Sequence, residues 1–291
     1  LLLAEKRLQL QALEFVHIDY ALRPPSAEEA LCVAHWMELR GKKVQITRLN
    51  GEEANFSGEG VEGWARRERY RALEAWRERL KCDWIVTAHH RNDQAETVLL
   101  RLARGCGLSG LVGIKKVDRQ RDLLRPLLDR SSAEIELWCQ KRGLSWLEDE
   151  SNRDLRFRRN EIRHHLLPLL ENREAGYSFR LAFIAEESAR LHLHLKRWAE
   201  ESYPSIPGEE GLWSVEVNAE DVAIDGGALL RLAVDEYCEG CGCPSIDSRR
   251  WERLVLVVMG RRKQVEMLSP TCSIEVVKRG AGWHLQLRRG E

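Results

Sequence analysis

The chain has 291 residues, 43% hydrophobic and 32% charged, with 46 Lys and Arg against 46 Asp and Glu. This composition excludes a disordered chain, and the length exceeds one typical domain, so two domains are expected. No apolar run approaches the roughly 18 residues of a spanning helix, and zero net charge means that any nucleic-acid surface must be a local patch.

The opening "LLLAEKRLQLQA" reads as the later part of a helix, too short and too soon charged for a secretory signal. Eight cysteines without a small-scaffold framework point to reduced thiols and a cytoplasmic protein. Three runs rich in strand formers follow: "LEFVHIDY" (13–20), "KKVQITRL" (42–49) and "CDWIVTAHH" (82–90). Helical patterns separate them, over 26–41, opening on Ser26 with Glu28 and Glu29, and over 61–81. Strand-helix alternation predicts an α/β domain with a Rossmann-like parallel sheet, and ligands in such folds gather beyond the carboxyl ends of the strands.

From about residue 131 the pattern turns helical. "SSAEIELWCQKRG" has a Ser cap, Glu134 placed for a capping box and Gly143 as a stop. "RRNEIRHHLLPLLE" and "YSFRLAFIAEESARLHLHLKRWAEE" are helical, 203–220 is a connection, and 226–239 and 247–259 form a further helix pair. The runs "QVEMLS", "CSIEVV" and "WHLQLR" suit a small antiparallel sheet. The expected division is a catalytic domain over 1–171 and a mostly helical domain with a few terminal strands over 172–291. Trp138, Trp146 and Trp198 are expected to pack rather than stack on bases.

The stretch "TAHHRNDQAETVLLRLARG" (87–105) follows the third expected strand. Asp93 and Glu96 have the spacing of an N-cap and its N3 partner. Ala95, Val98, Leu99, Leu102 and Ala103 recur as the core face of a helix. The same two carboxylates can also face one cleft and hold an ammonium group or a magnesium ion carrying phosphates. His89 and His90 are adjacent and cannot share a face as a metal-binding i, i+4 pair does, so no metal site is assigned. Gly105, Gly107 and Gly110 permit close backbone approach.

Four ordered blocks carry a resemblance. "HIDYALRPPSAEEA", "GVEGWARRERYRAL", "AHHRNDQAETVLLRLARGCGLSGL" and the segment from "LLRPLLDRSS" to "RRNEIRHHLLPLL" are similar to the tRNA-isoleucine lysidine synthetase family of PP-loop ATP pyrophosphatases. The likeness is strong over about 13–171. It implies an ATP-dependent ligase that adenylates the wobble cytidine of an isoleucine tRNA and then joins free lysine to form lysidine. ATP and magnesium are the implied cofactors. Isoleucine tRNA and free lysine are the implied partners; no membrane is involved, and a homodimer is admitted. The resemblance implies catalytic roles for Asp93, Glu96 and Arg69 and substrate contacts for His89, His90 and Arg66.

Two departures accompany it. The family's Ser-Gly-Gly-x-Asp-Ser phosphate loop has no counterpart, and its expected place is upstream of Leu1, with the first strand, in about 20 further residues. The chain by itself is therefore expected to be impaired. Tyr20 stands where the family usually has histidine and receives no role. The alternatives are a tRNA-thiolating PP-loop enzyme, for which only Cys106 lies in the relevant turn, and a catalytically inactive tRNA-binding module.

The segment "RDLRFRRNEIRHH" is read either as a solvated helix face with internal ion pairs or as an RNA contact. The resemblance favours RNA, with Arg156, Arg158, Arg159, Asn160 and Arg163 as contacts and Arg156, Arg159 and Arg163 sharing a cationic face. Cys238, Cys241 and Cys243 lack a fourth nearby ligand, and no metal is expected there.

Overall fold

The structure is a computed structural model that describes residues 13–23, 25–51, 56, 60–146, 152, 154, 157–204, 212–217, 222–223, 225, 227–241, 246, 248–259, 264–269, 272–279 and 282–289. The chain divides into two compact units, Leu1–Ala185 and Glu186–Glu291.

In the first unit, strand β1 (Phe15–Asp19) leads to helix α1 (Ser26–Glu38) and strand β2 (Val44–Arg48), which lies parallel to β1 with Phe15 opposite Val44. Helix α2 (Gly60–Arg79) precedes β3 (Ile85–Val86) and helix α3 (Arg91–Ala103). After the short helix α4 (Leu108–Leu111) come β4 (Val117–Asp118) and β5 (Leu123–Leu124); β5 is parallel to β3 and antiparallel to β4. Among the described residues the two parallel pairs lie in separate sheets, β1-β2 and β3-β5-β4, and with the helices between them they make the α/β, Rossmann-like arrangement that strand-helix alternation predicts. The third strand is shorter than the expected 82–90. Only Ile85 and Val86 find partners on β5, and the chain beyond Thr87 leaves the ladder to open α3.

Gly51 locks the loop after β1 to the loop after β2. A Cβ there would lie 2.1 Å from the Tyr20 carbonyl oxygen and 3.1 Å from the Ala21 carbonyl carbon, so backbone meets backbone. Ala21 holds a left-handed φ of 50°. Buried Asp19 accepts from the Ala21 amide at 2.9 Å and from Arg48 at 2.8 Å, which holds that turn against β2.

Helix α5 (Ser132–Gln140) begins as its sequence predicts. The Glu134 amide donates to Ser131 Oγ at 3.1 Å and the Ser131 amide to Glu134 Oε2 at 2.7 Å, closing a capping box. Downstream, helix α6 (Arg158–Glu161) runs through a π-helical turn (Ile162–Leu166) into helix α7 (Leu167–Arg173). Pro168 accounts for the widening. Its ring would crowd the carbonyl four residues back in a regular α-helix, and the Leu167 amide instead reaches the Ile162 carbonyl, five residues away.

Helix α8 (Tyr177–Ser202) starts on Glu171, whose carboxylate accepts from the amides of Gly176, Tyr177 and Ser178. Its residues Leu181 and Ala185 bury Ala95 and Val98 of α3 together with Leu167. Leu99 packs beside them, but Leu102 is 48% exposed and Ala103 is exposed. The expected core face of α3 thus stops short of its last turn, which runs past the cluster. Trp146, in the segment after α5, and Trp198, on α8, are also exposed rather than packed.

The second unit contains strand β6 (Leu212–Val217), helices α9 (Ala228–Cys241) and α10 (Ser248–Met259), and strands β7 (Gln264–Ser269), β8 (Cys272–Arg279) and β9 (Gly282–Arg289). The sheet order is β6-β9-β8-β7, all antiparallel. The three expected terminal runs all form strands. β6 arises where a connection was expected, and it does so by pairing along its whole length with β9. Val215, Ile274, Val276, Leu285 and Leu287 of the sheet pack with Leu230, Val234, Trp251 and Leu254 of the helices.

Candidate active site

The stretch 87–105 leaves the carboxyl end of β3, where parallel sheets place their ligands. Helix α3 is capped by His90 rather than by Asp93, so Asp93 stands at N3 and accepts from the His90 amide at 2.9 Å. The capping reading of the Asp93–Glu96 pair therefore fails in register. Asp93 closes the cap from inside, and Glu96 lies one turn further along, fully buried.

Burial alone would make Glu96 costly, because a carboxylate without partners cannot be removed from water cheaply. Two arginines of the α6–α7 segment meet it. Arg159 donates Nε to Glu96 Oε2 at 2.7 Å and a terminal nitrogen to Asp93 Oδ1 at 3.0 Å. Arg163 donates Nε to Glu96 Oε1 at 2.7 Å, with its terminal nitrogen 3.0 Å from Oε2 and 3.2 Å from Asp93 Oδ1. Two carboxylates and two guanidiniums thus neutralise one another. The cationic face expected of Arg159 and Arg163 is turned onto carboxylates.

Electrostatics follow the geometry. Burial pushes the Asp93 carboxyl up, but His90, Arg159 and the His90 amide outweigh it and hold it below the ordinary value. Burial also disfavours the charged Arg163, and Glu96 more than compensates. His89, oriented by Thr87 Oγ1 at 2.8 Å, is pulled down to about 4 by burial, against the charge of Asp93 and with that of Arg125, Arg69 and Arg159. It is therefore neutral at physiological pH.

His89 faces a second group. Arg66 and Arg69 of α2 lie 5.2 and 5.3 Å from the ring centre of Tyr70, and Arg121 lies 5.5 Å from it. Arg125, buried behind β5, donates to the Tyr70 hydroxyl at 3.2 Å and to the Lys115 carbonyl at 2.6 Å. Sequence reasoning singled out Arg66 and Arg69. It missed Tyr70, Arg121 and Arg125, although "RERYRAL" and "LLRPLL" contain two of them.

The remaining expected site residues are placed as follows. His90 is half-buried, its Nε2 3.5 Å from Asp93 Oδ2. Arg158 is exposed, and Asn160 is buried, donating to the Asp154 carbonyl at 3.0 Å. Arg156 and Cys243 lie outside the described residues, and Cys238 is buried within α9. The glycine-rich turn folds onto α3. The Gln94 amide bonds both the amide and the carbonyl of Ile114, at 2.6 and 3.1 Å, and Arg101 donates to the Gly110 carbonyl at 2.7 Å. The close approach at Gly110 is made by Cys106, 2.4 Å from where a Cβ would stand.

A buried carboxylate–guanidinium cluster thus stands at the carboxyl end of a parallel strand pair, beside a group of arginines, in an α/β domain. The sequence profile of the PP-loop domain matches residues 1–170. The chain belongs to the PP-loop family, on the branch of the tRNA(Ile)-lysidine synthases. It is 42% identical over 160 residues to the tRNA(Ile)-lysidine synthase of Azoarcus sp. (strain BH72), covering 54% of this chain and 34% of that relative. It is 38% identical over 167 residues to that of Nitratidesulfovibrio vulgaris, covering 57% and 48%. With that of Burkholderia mallei it shares 32% over 288 residues, covering 95% and 54%. The chain thus spans from a third to about half of the length of these relatives. In fold it is similar to the U34-tRNA thiolase NcsA from Methanococcus maripaludis with its 4Fe-4S cluster, at a TM-score of 0.53 and 14% identity, over 65% of this chain and 67% of that one.

Proposed function

We propose that the chain carries the chemistry of lysidine formation: ATP adenylates the C2 oxygen of the wobble cytidine of an isoleucine tRNA, releasing pyrophosphate, and the ε-amine of lysine displaces AMP. The observation that carries this reading is the pairing of Asp93 and Glu96 with Arg159 and Arg163 at the carboxyl end of β3. The two carboxylates take different roles in it. Glu96 is wholly buried, both its oxygens are engaged, and it fixes the arginines. Asp93 keeps 12% of its side chain exposed, and its Oδ2, bonded to the His90 amide, retains a lone pair for an ammonium group. The acceptor for the lysine ε-ammonium is therefore Asp93, and the low basicity that its partners impose keeps it charged for that task. The proton released when the amine attacks passes to solvent, because His89, drawn down to about 4, is too weak a base to hold it at physiological pH. Arg66 and Arg69 face the phosphates and the AMP leaving group.

Among the described residues no three His, Cys, Asp or Glu side chains form a metal-binding group, and both oxygens of Glu96 are taken by guanidiniums, which leaves Asp93 Oδ2 alone. This arrangement does not fit a protein-held magnesium. No helix among the described residues is long and apolar enough to cross a membrane, and the reading places the reaction in the cytoplasm.

The test is transfer of labelled lysine to isoleucine tRNA with ATP, using the chain and the same chain with a relative's first strand and Ser-Gly-Gly-x-Asp-Ser loop joined ahead of Leu1. The extended chain should label the tRNA and release one AMP per lysine. Retained tRNA binding with no lysine transfer in either form would establish the inactive module instead, and sulfur incorporation would establish thiolation.

A further inference from the structure

We propose that Tyr70 is a positioning residue that gathers Arg66, Arg69, Arg121 and Arg125 into one phosphate-binding group while leaving their charge uncompensated. Arginines packed this closely repel one another, and proteins ordinarily relieve that repulsion with a carboxylate. The neighbouring site does so, with Asp93 and Glu96 between Arg159 and Arg163. Around Tyr70 the solution differs. Among the described residues none of the four guanidiniums has a carboxylate partner. The ring instead holds Arg66, Arg69 and Arg121 at 5.2 to 5.5 Å from its centre, and its hydroxyl accepts from Arg125.

An aromatic face attracts cations through its quadrupole without carrying net charge, so it organises arginines and leaves the positive field intact. Two further observations point to a ligand. Arg125 is 4% exposed, yet its buried Nε lacks a hydrogen-bond partner, as does the buried Nε of Arg69. Buried guanidinium N–H groups left unsatisfied are costly, and a bound oxyanion would satisfy them. Tyr70 itself is anchored in the apolar cluster with Ile85 and Leu123, so the ring sits on the sheet rather than on a loop. The phenol is also drawn below its usual range: burial opposes ionisation, but the Arg125 hydrogen bond and the surrounding guanidiniums outweigh it. The ligand chemistry is a phosphate group, from a nucleotide polyphosphate or from an RNA backbone. This inference deepens the ligase reading and rests on it for the identity of the phosphate donor.

The experiment measures binding of inorganic pyrophosphate and of a synthetic RNA stem-loop to the chain, to Tyr70→Phe and to Tyr70→Leu, with melting curves for each. Tyr70→Phe keeps the ring and its packing but frees Arg125, and a lost hydrogen bond to a charged group should weaken binding about tenfold. Tyr70→Leu also removes the face that gathers the other three arginines, and should weaken binding further and flatten its salt dependence. An effect confined to pyrophosphate assigns the group to the nucleotide, and one confined to the stem-loop assigns it to RNA; either supports the proposal. If Tyr70→Phe binds both probes as the parent does, Tyr70 is only a core residue and the proposal falls, whatever the melting curves show. Lysine transfer is scored separately: Tyr70-dependent phosphate binding without lysine transfer would remove the ligase reading and leave this one standing.

Discussion

Glu96 and Arg163 meet edge to edge. Arg163 Nε lies 2.7 Å from one carboxylate oxygen and a terminal nitrogen lies 3.0 Å from the other, with Glu96 fully buried. This two-pronged arrangement is the strongest form of the pair, and its carboxylate has no water to fall back on. Glu96→Gln should therefore destabilise the fold by about 3 kcal/mol, because it leaves two guanidiniums to share the single charge of Asp93. Urea denaturation checks this; a loss near the 0.5 kcal/mol of an ordinary surface change would show that water replaces the carboxylate.

Asp93→Asn separates the site from its scaffold. The amide oxygen can still accept from the His90 backbone, so helix α3 should keep its cap. Loss of the charge that would receive an ammonium should abolish lysine transfer in the extended chain while ATP–pyrophosphate exchange persists. Near-normal lysine transfer by this variant would return Asp93 to a capping role.

His89 gives a pH dependence whose sign is fixed. Its pKa falls from 6.5 in the unfolded chain to about 4 in the folded one, so between those values the unfolded state binds more protons. Its contribution to stability is complete above pH 6.5 and declines as the pH falls towards 4. The depressed Asp93 carboxyl acts in the same direction at lower pH, where its charge is lost. Replacing His89 with Gln should reduce the decline between pH 6.5 and 4 in a plot of stability against pH, leaving the share of His17, which burial also draws down, and nuclear magnetic resonance should show a His89 ring still neutral at pH 5.

Within the expected RNA segment, only exposed cations are available to phosphates without first leaving a carboxylate. Arg158 is exposed, whereas Arg159 and Arg163 are paired. Arg158→Gln should weaken tRNA binding and reduce the slope of log affinity against log salt by roughly 0.7 to 0.9, with no change in melting temperature. Arg159→Gln should lower the melting temperature. An Arg158 variant with unchanged affinity and salt slope would make that residue a solvated surface cation.

Gly51→Ala should be the most damaging of the small substitutions. The added methyl would enter a space 2.1 Å from the Tyr20 carbonyl oxygen, where only backbone can move. A loss of about 1–3 kcal/mol is expected by thermal unfolding.

What the sequence reveals follows the range of the interaction that decides it. The Ser131–Glu134 capping box spans three residues and is visible in "SSAE". The parallel sheet is visible because each strand and helix announces itself by its own periodicity. The partners of Asp93 and Glu96 lie 63 to 70 residues away, and nothing local to "RRNEIR" says whether its arginines face carboxylates or solvent. Tyr70 and Arg125 are 55 residues apart, and their meeting depends on α2 and β5 packing together. β6 was invisible for the same reason, since its strand character rests on β9.

The π-helical turn at Ile162–Leu166 acts as a phase adjuster between two contacts of different chemistry. Upstream and within it, Arg159 and Arg163 reach the carboxylates of α3; just beyond it, Leu167 packs against Ala95 and Val98 of the same helix. In a regular α-helix each residue advances about 100° around the axis, so removing one residue from the turn would swing everything downstream by that angle. Leu167 would leave its apolar seat, or the arginines would leave their anions. The charged cluster and the hydrophobic packing of this unit are thus kept in step by one wide turn, and the spacing between Arg163 and Leu167 is as much a part of the site as the side chains themselves.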